Sequence, residues 1–304
     1  MPELPDILLY LHALAPRIVG QPLRRIRVAS PFLVRTVDPP LAAFEGRPVH
    51  HLERLGKRIV WVFDEEWFLV FHLMIAGRFR WGPPEIRLSA KVGLAAFDFS
   101  TGTVTLTEAG SKKRAALHAG RGRPALAALD AGGLDVLEAS QQQFHDALRR
   151  ENHTLKRALT DPHILSGIGN AYSDEILHAA RLSPFKQTHH LHDDETARLY
   201  AAARETLTVW IDRLREECGD RFPERVTAFR PQMAVHGRYG HPCPFCGTPV
   251  QRIVYASNEA NYCPSCQTEG RLLADRSLSR LLKADWPATL DDLDALKRER
   301  RSSN

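Results

Sequence analysis

No stretch of the sequence is apolar over the roughly 18 residues that a membrane-spanning helix requires, which excludes a helical membrane protein. The opening residues Met1-Pro2-Glu3-Leu4-Pro5-Asp6 contain no basic segment, and the apolar run from Ile7 to Leu9 is too short for a secretory signal. A cytoplasmic protein with no membrane partner is therefore expected. Cysteine is scarce, with five in 304 residues. Four of them fall within 24 residues and Cys218 stands apart, so a disulfide framework is excluded in favour of a metal site in a reducing compartment. Charge of one sign does not dominate either. The net formal charge is +5 and the isoelectric point is near 9.0, a balance that favours a polyanionic partner without requiring one. There is no internal repeat.

What is present is an ordinary globular composition, 43% hydrophobic and 25% charged, in a chain long enough for more than one domain. A helix is expected after Pro5, N-capped by Asp6, with Leu8, Leu11 and Ala15 at helical spacing and an end no later than Gly20. From Leu23 to about Thr107 the pattern is one of short strands. Arg58 to Phe63 and Trp67 to Ile75 flank the turn Asp64-Glu65-Glu66, and Leu94 to Phe99 and Thr103 to Leu106 flank Ser100-Thr101-Gly102. Residues 121–133, rich in Gly, Ala and Pro, read as a linker. Helical periodicity follows over 141–150, 154–160, 171–180 and roughly 194–217, then a cysteine module to Gln267, and a tail with one amphipathic stretch at Leu278 to Leu282. The fold class is thus α+β and multidomain. A β-rich domain is expected over 1–120, a helical domain over 134–235, a cysteine module over 236–270 and an extension of unknown role over 271–304.

Two constellations carry chemistry. Cys243-Pro244-Phe245-Cys246 and Cys263-Pro264-Ser265-Cys266 are paired CxxC turns separated by 16 residues. Together they supply four soft thiolates in tetrahedral reach of one Zn2+. A closed four-thiolate shell has no open position for water, so this zinc is expected to be structural. At the other end, removal of Met1 makes Pro2 a chain terminus with a secondary amine. Such an amine can attack the anomeric carbon of a damaged nucleotide, with Glu3 beside it as general acid or base. Taken alone, a proline at position 2 carries little information.

Several separated motifs, in order along residues 1 to about 270, resemble the formamidopyrimidine-DNA glycosylase and endonuclease VIII family. They are Pro2-Glu3-Leu4-Pro5-Asp6, Gly56-Lys57 leading a strand, His72-Leu73-Met74-Ile75-Ala76-Gly77, the run Leu165 to Leu177 containing Gly167-Ile168-Gly169-Asn170, and the zinc module. The resemblance implies an N-terminal β-sandwich with a leading helix, a helix-two-turn-helix domain and a zinc β-hairpin finger. It implies a bifunctional glycosylase and abasic-site lyase of base excision repair that forms a Schiff base at Pro2, with Glu3 and Lys57 in the catalytic site and strand scission by β,δ-elimination. Asn170, Gly169, Lys156, His72 and the finger position Asn258 are the implied DNA contacts, while for Lys156 and Glu175 a structural or phosphate-side role is as open as a catalytic one. The implied partner is damaged double-stranded DNA, engaged by a monomer that meets the nucleoid through its DNA.

Two departures bear on substrate. The finger position five residues before Cys263, an arginine in the family, is Asn258, which loses the charge-assisted fork to phosphate. Arg252 is nearby in sequence and can substitute only if its side chain faces the DNA. Ile75 stands where the oxidised-purine enzymes carry methionine, and the later loop, Thr107 to Arg114, lacks their arginine–phenylalanine pair, offering Lys112-Lys113-Arg114 instead. These differences speak against 8-oxoguanine specificity more than against the lyase chemistry. Two competing readings stand beside the enzyme: a damage-recognising DNA-binding protein of the same fold without turnover, and a zinc-ribbon regulatory protein, which leaves Pro2-Glu3 unexplained.

Overall fold

The computed structural model describes residues 1–255, 258–274 and 286–302, without the side chains at 255, 258, 297 and 299–302. The amphipathic stretch expected at Leu278 to Leu282 lies outside the described residues. The chain packs as two compact units, 1–133 with 207–228, and 134–206 with 229–304.

In the first unit, helix α1 (Leu4–Ile18) begins one turn earlier than expected. Glu3 is the N-cap, and Asp6 sits at the third helical position, where its carboxylate accepts the Glu3 backbone N–H at 3.0 Å. This is a reciprocal capping box. Pro5 belongs in the first turn because no intrahelical bond is asked of its nitrogen there, and a start at Asp6 would have left that preference unused. The apolar stripe Ile7, Tyr10, Leu14 and Ile18 is buried against the strands.

The strands form two four-stranded antiparallel sheets. One has the order β1 (Arg25–Val28), β6 (Gly93–Asp98), β7 (Thr103–Glu108), β5 (Gly77–Gly82); the other has β2 (Val49–Leu55), β3 (Arg58–Phe63), β4 (Trp67–His72), β8 (Ala116–Arg121). Both contribute to one core, in which Trp61 lies 5.2 Å from Phe97 and Phe71 lies 5.1 Å from Phe79 between ring centroids. The β3 sequence Ile59-Val60-Trp61-Val62-Phe63 is apolar at every position because both of its faces are covered. Ile59, Trp61 and Phe63 enter the shared core, while Val60 and Val62 pack with Phe68, Val70 and Leu126. Leu126 lies on the short helix α2 (Arg123–Ala127), inside the stretch read as a linker. Gly122, at φ +86°, precedes α2, and Pro124 lies in its first turn. The strand expected over 67–75 stops at His72, where the chain turns back to start β5.

In the second unit, α3 (Gln141–Arg149) carries a Ser140–Gln143 capping box, and α4 (Leu155–Thr160) is capped by the Thr154 hydroxyl. They are followed by α5 (Asn170–Ala179) and the long α6 (Asp193–Cys218), whose last turns are counted with the first unit. The finger is the hairpin β9 (Gln251–Tyr255) and β10 (Asn258–Tyr262) with the short helix α7 (Pro264–Thr268). A tail helix α8 (Leu290–Ser302) comes last. Among the described residues, no helix is long and apolar enough to cross a membrane.

Candidate functional site

Pro2 and Glu3 are buried at the start of α1, Glu3 with only 2% of its surface exposed. The chain's terminal amine, on Met1, is held below its ordinary 8.0, first by burial and also by the charges of Arg78 and Lys57; Glu3 and Asp6 oppose the shift. Lys57 occupies the tight turn between β2 and β3, entered through Gly56 at φ +61°. Burial lowers its pKa, and the Glu3 carboxylate pulls it back up, so Lys57, Glu3 and the amino terminus share one electrostatic site.

His72 ends β4 directly opposite Arg58, the residue after Lys57. Burial, then Arg58, Lys57 and His118, push its pKa down to about 4. At neutral pH His72 is therefore a neutral imidazole that can offer an N–H but no charge. After it the chain makes the turn Leu73 to Gly77, closed by the Gly77 N–H donating to the Leu73 carbonyl at 2.9 Å. A Cβ on Gly77 would fall 2.2 Å from that carbonyl oxygen, so only glycine fits. The turn holds Met74 at φ +53° and leaves Ile75 59% exposed. The other loop of interest is clamped from beneath. Buried Glu108 accepts the backbone N–H groups of Arg114 and Ala115, and Lys112, Lys113 and Arg114 stand exposed above it.

In the second unit the glycine-rich turn places Gly167 at φ +86° and Gly169 as the N-cap of α5, with half-buried Asn170 as the first helical residue. The first-turn N–H groups of α5 are the anion-binding end of that helix. Lys156 turns inward. It is 3% exposed, and its ammonium donates to the Asn170 carbonyl at 2.7 Å and to Asp174 Oδ1 at 2.5 Å. Of the roles open to Lys156 in the sequence, this placement favours the structural one, fixing the glycine-rich turn through the Asn170 carbonyl. Asp174 Oδ2 in turn accepts from His236 Nδ1 at 2.8 Å and from the Asn261 amide at 3.0 Å. Glu175 is structural as well. Its carboxylate accepts the backbone N–H groups of Ala234, Val235 and His236, while burial, the largest influence, raises its pKa. Nothing in the sequence spacing of Asp174, His236 and Asn261 shows that three distant segments converge.

Asn258 opens β10, but its side chain lies outside the described residues. Strand alternation decides which face Arg252 takes. In the β9–β10 register, Arg252 pairs with Asn261 and Asn258 pairs with Tyr255, which puts Arg252 on the opposite face from position 258. Its guanidinium lies over the Tyr239 ring at 4.7 Å and 3.7 Å from Glu259. Arg252 therefore does not share the face of position 258.

The ligand atoms of Cys243, Cys246, Cys263 and Cys266 all lie within 4.8 Å of one another. Zinc–sulfur bonds of about 2.3 Å in a tetrahedron require sulfur–sulfur edges of roughly 3.8 Å. The separations Cys243–Cys266 3.9 Å, Cys246–Cys263 3.4 Å and Cys246–Cys266 3.5 Å fit such a set. The four cysteines are the ligands of one structural zinc.

Three family models match in the order of these elements: the formamidopyrimidine-DNA glycosylase N-terminal domain over 1–115, the formamidopyrimidine-DNA glycosylase H2TH domain over 133–218, and the zinc finger found in FPG and IleRS over 240–268. The formamidopyrimidine-DNA glycosylase of Thermus thermophilus is 34% identical over 277 residues, covering 89% of this chain and 100% of the relative. A crystal structure of that organism's Fpg protein superposes with a TM-score of 0.72 at 31% identity, covering 88% of this chain and 98% of the other. A Lactococcus lactis Fpg mutant in complex with DNA containing Fapy-dG reaches a TM-score of 0.77 over 88% of this chain and 100% of its own; at 23% identity it shows the shared fold. With all three domains matched and full-length relatives at this identity, the chain belongs to the formamidopyrimidine-DNA glycosylase family.

Proposed function

We propose that the protein is a bifunctional DNA glycosylase and abasic-site lyase of base excision repair, working through the amine of Pro2 on damaged double-stranded DNA. The observation that carries this reading is the buried amino terminus, which shares one electrostatic site with Glu3 and Lys57 inside the family's N-terminal domain. Once Met1 is removed, the neutral Pro2 nitrogen attacks C1′ of the damaged nucleotide. The N–C1′ bond forms as the glycosidic bond breaks, and the base leaves with a proton. The amine then loses its proton and O4′ takes one up as the C1′–O4′ bond breaks, which opens the sugar to a cationic Schiff base; this acidifies C2′–H, so loss of that proton expels the 3′ phosphate, and a second elimination expels the 5′ phosphate. Glu3 moves protons on the sugar, and Lys57 contacts the strand at the lesion.

A duplex hides C1′, so the nucleotide must leave the stack. Its flanking phosphates are held by the α5 N-terminus at Gly169 and Asn170 and by the finger at Asn258. His72 adds a neutral donor, and Ile75 is the exposed apolar side chain available to fill the gap left in the helix.

A panel of duplexes carrying an abasic site, 8-oxoguanine, a ring-opened purine or an oxidised pyrimidine tests this. Cleavage at the abasic site with weak excision of 8-oxoguanine is expected. Binding to all of them with no cleavage of any would replace the enzyme by the damage-recognising protein, the reading that Asn258 favours.

A further inference from the structure

One buried imidazole near the finger is used by nothing in the mechanism above. His178 lies in the last turn of α5 and is 3% exposed. Its Nε2 is 3.3 Å from Sγ of Cys243, and its ring centroid is 5.3 Å from that of Phe245, inside the same CxxC turn. A cysteine bound to zinc is a thiolate with no proton to give, so the hydrogen in this contact must come from the imidazole, leaving Nε2 as the donor. The contact is therefore an N–H···S bond to a zinc ligand from a helix outside the finger. Outer partners of this kind fix the orientation of a ligand and spread its negative charge, which matters in a site where four thiolates surround one dication.

Other contacts hold the finger as well, among them the Asn261 amide donating to Asp174 on α5 at 3.0 Å. Its apolar cluster consists of Val235, Val250 and the two cysteines Cys243 and Cys263, with Cys266 at the edge. Another polar tie runs parallel to that of His178, since Gln267 accepts the Cys263 N–H at 2.8 Å and donates to the Leu182 carbonyl at 2.9 Å. Each CxxC turn is thereby pinned to the end of α5 or the residues just after it.

We propose that His178 is a positioning residue of the zinc site: it donates a hydrogen bond to the Cys243 thiolate, raises the retention of zinc and ties the metal to the helix whose other end carries Asn170. The test uses the full-length, zinc-loaded protein and the variants His178→Phe, which keeps a ring and loses the donor, and His178→Gln, which keeps a side-chain N–H. Zinc transfer to an excess of a colorimetric chelator is timed, and the thiolate-to-metal charge-transfer band of the cobalt-substituted proteins is recorded. His178→Phe is expected to lose zinc about tenfold faster and to shift the cobalt band, at the lower end of what outer-shell changes cost. His178→Gln is expected to recover most of both. Zinc loss at the wild-type rate in His178→Phe overturns the proposal, and so does a His178→Gln variant as leaky as His178→Phe, since packing alone would then explain the effect. Should His178→Phe fail to fold, the cadmium-113-substituted wild-type protein decides. A scalar coupling between the metal and the imidazole Nε2 proton is expected, and its absence with all four thiolates bound contradicts the hydrogen bond.

Discussion

A terminal amine attacks carbon only when it is unprotonated, so the environment of the first residues sets the pH at which the proposed chemistry runs. Burial is the largest influence on the amino terminus here and lowers its pKa, while the Glu3 carboxylate works against it. In the mature chain the Pro2 nitrogen is one residue closer to Glu3. Schiff-base formation should therefore rise with pH, with an inflection where the amine loses its proton. Glu3→Gln should move that inflection to lower pH, because the charge that raises the amine's pKa is gone, even as the plateau rate falls by the roughly hundredfold or more expected for a lost acid–base group. Borohydride trapping rates measured from pH 5 to 9 check this; an inflection that stays put or moves upward contradicts it. His72 gives a second titration. With its pKa pushed down to about 4, the folded protein takes up that proton later than an unfolded chain, whose histidine titrates near 6.5. The His72 contribution to stability is complete above about pH 6.5 and declines as pH falls toward 4. The imidazole signals of His72, followed by NMR, should remain those of the neutral ring at pH 5.5.

At the scale of elements, the buried polar chain Lys156–Asp174–His236/Asn261 joins α4, α5, the segment before the finger and strand β10. Removing one member of a buried ion pair leaves its partner's charge uncompensated, at a cost of about 3 to 5 kcal/mol. Lys156→Met should destabilise the zinc-loaded protein by about 3 kcal/mol in denaturant unfolding. A change below about 1 kcal/mol would mean that the ammonium is solvated and available to DNA. The finger depends on its metal for a different reason, since its apolar cluster is too small to repay the entropy of ordering it. Chelation should open the amides of 240–268 to hydrogen exchange while those of β3 and β4 stay protected, as mass spectrometry of the exchanged peptides can read.

Elements with one strong local signature were legible in the sequence: the paired CxxC turns, the amphipathic helices and the apolar β3. What was not legible depended on contacts made at a distance. The helix α2 reads as linker until Val60 and Val62 are seen to need a cover, and the turn after His72 hides inside a continuous apolar run. The inward course of Lys156 is invisible without Asp174 opposite it. The face of Arg252 follows from strand register alone, and the register is set by the hairpin as a whole.

For the whole molecule, packing divides the chain differently from its motifs. Residues 207–228, the end of α6 and the segment after it, belong with the β-rich unit although the helix begins in the other one. Within that unit Phe222 and Val226 join the core near Tyr10, and Arg78 donates to the Val226 carbonyl at 2.6 Å. The returning segment thus buttresses a cation that also acts on the amino terminus. No local sequence pattern announces such a return, because it is a property of the tertiary fold.

The most direct measurement is made on the covalent adduct. The full-length protein is incubated with abasic-site duplex, reduced with borohydride and digested, and the peptide bearing the deoxyribose remnant is sequenced by mass spectrometry. The remnant should sit on the nitrogen of Pro2, in a chain from which Met1 has been removed. A remnant on Lys57 or any other lysine, or undiminished strand cleavage by protein that retains Met1, would contradict the account.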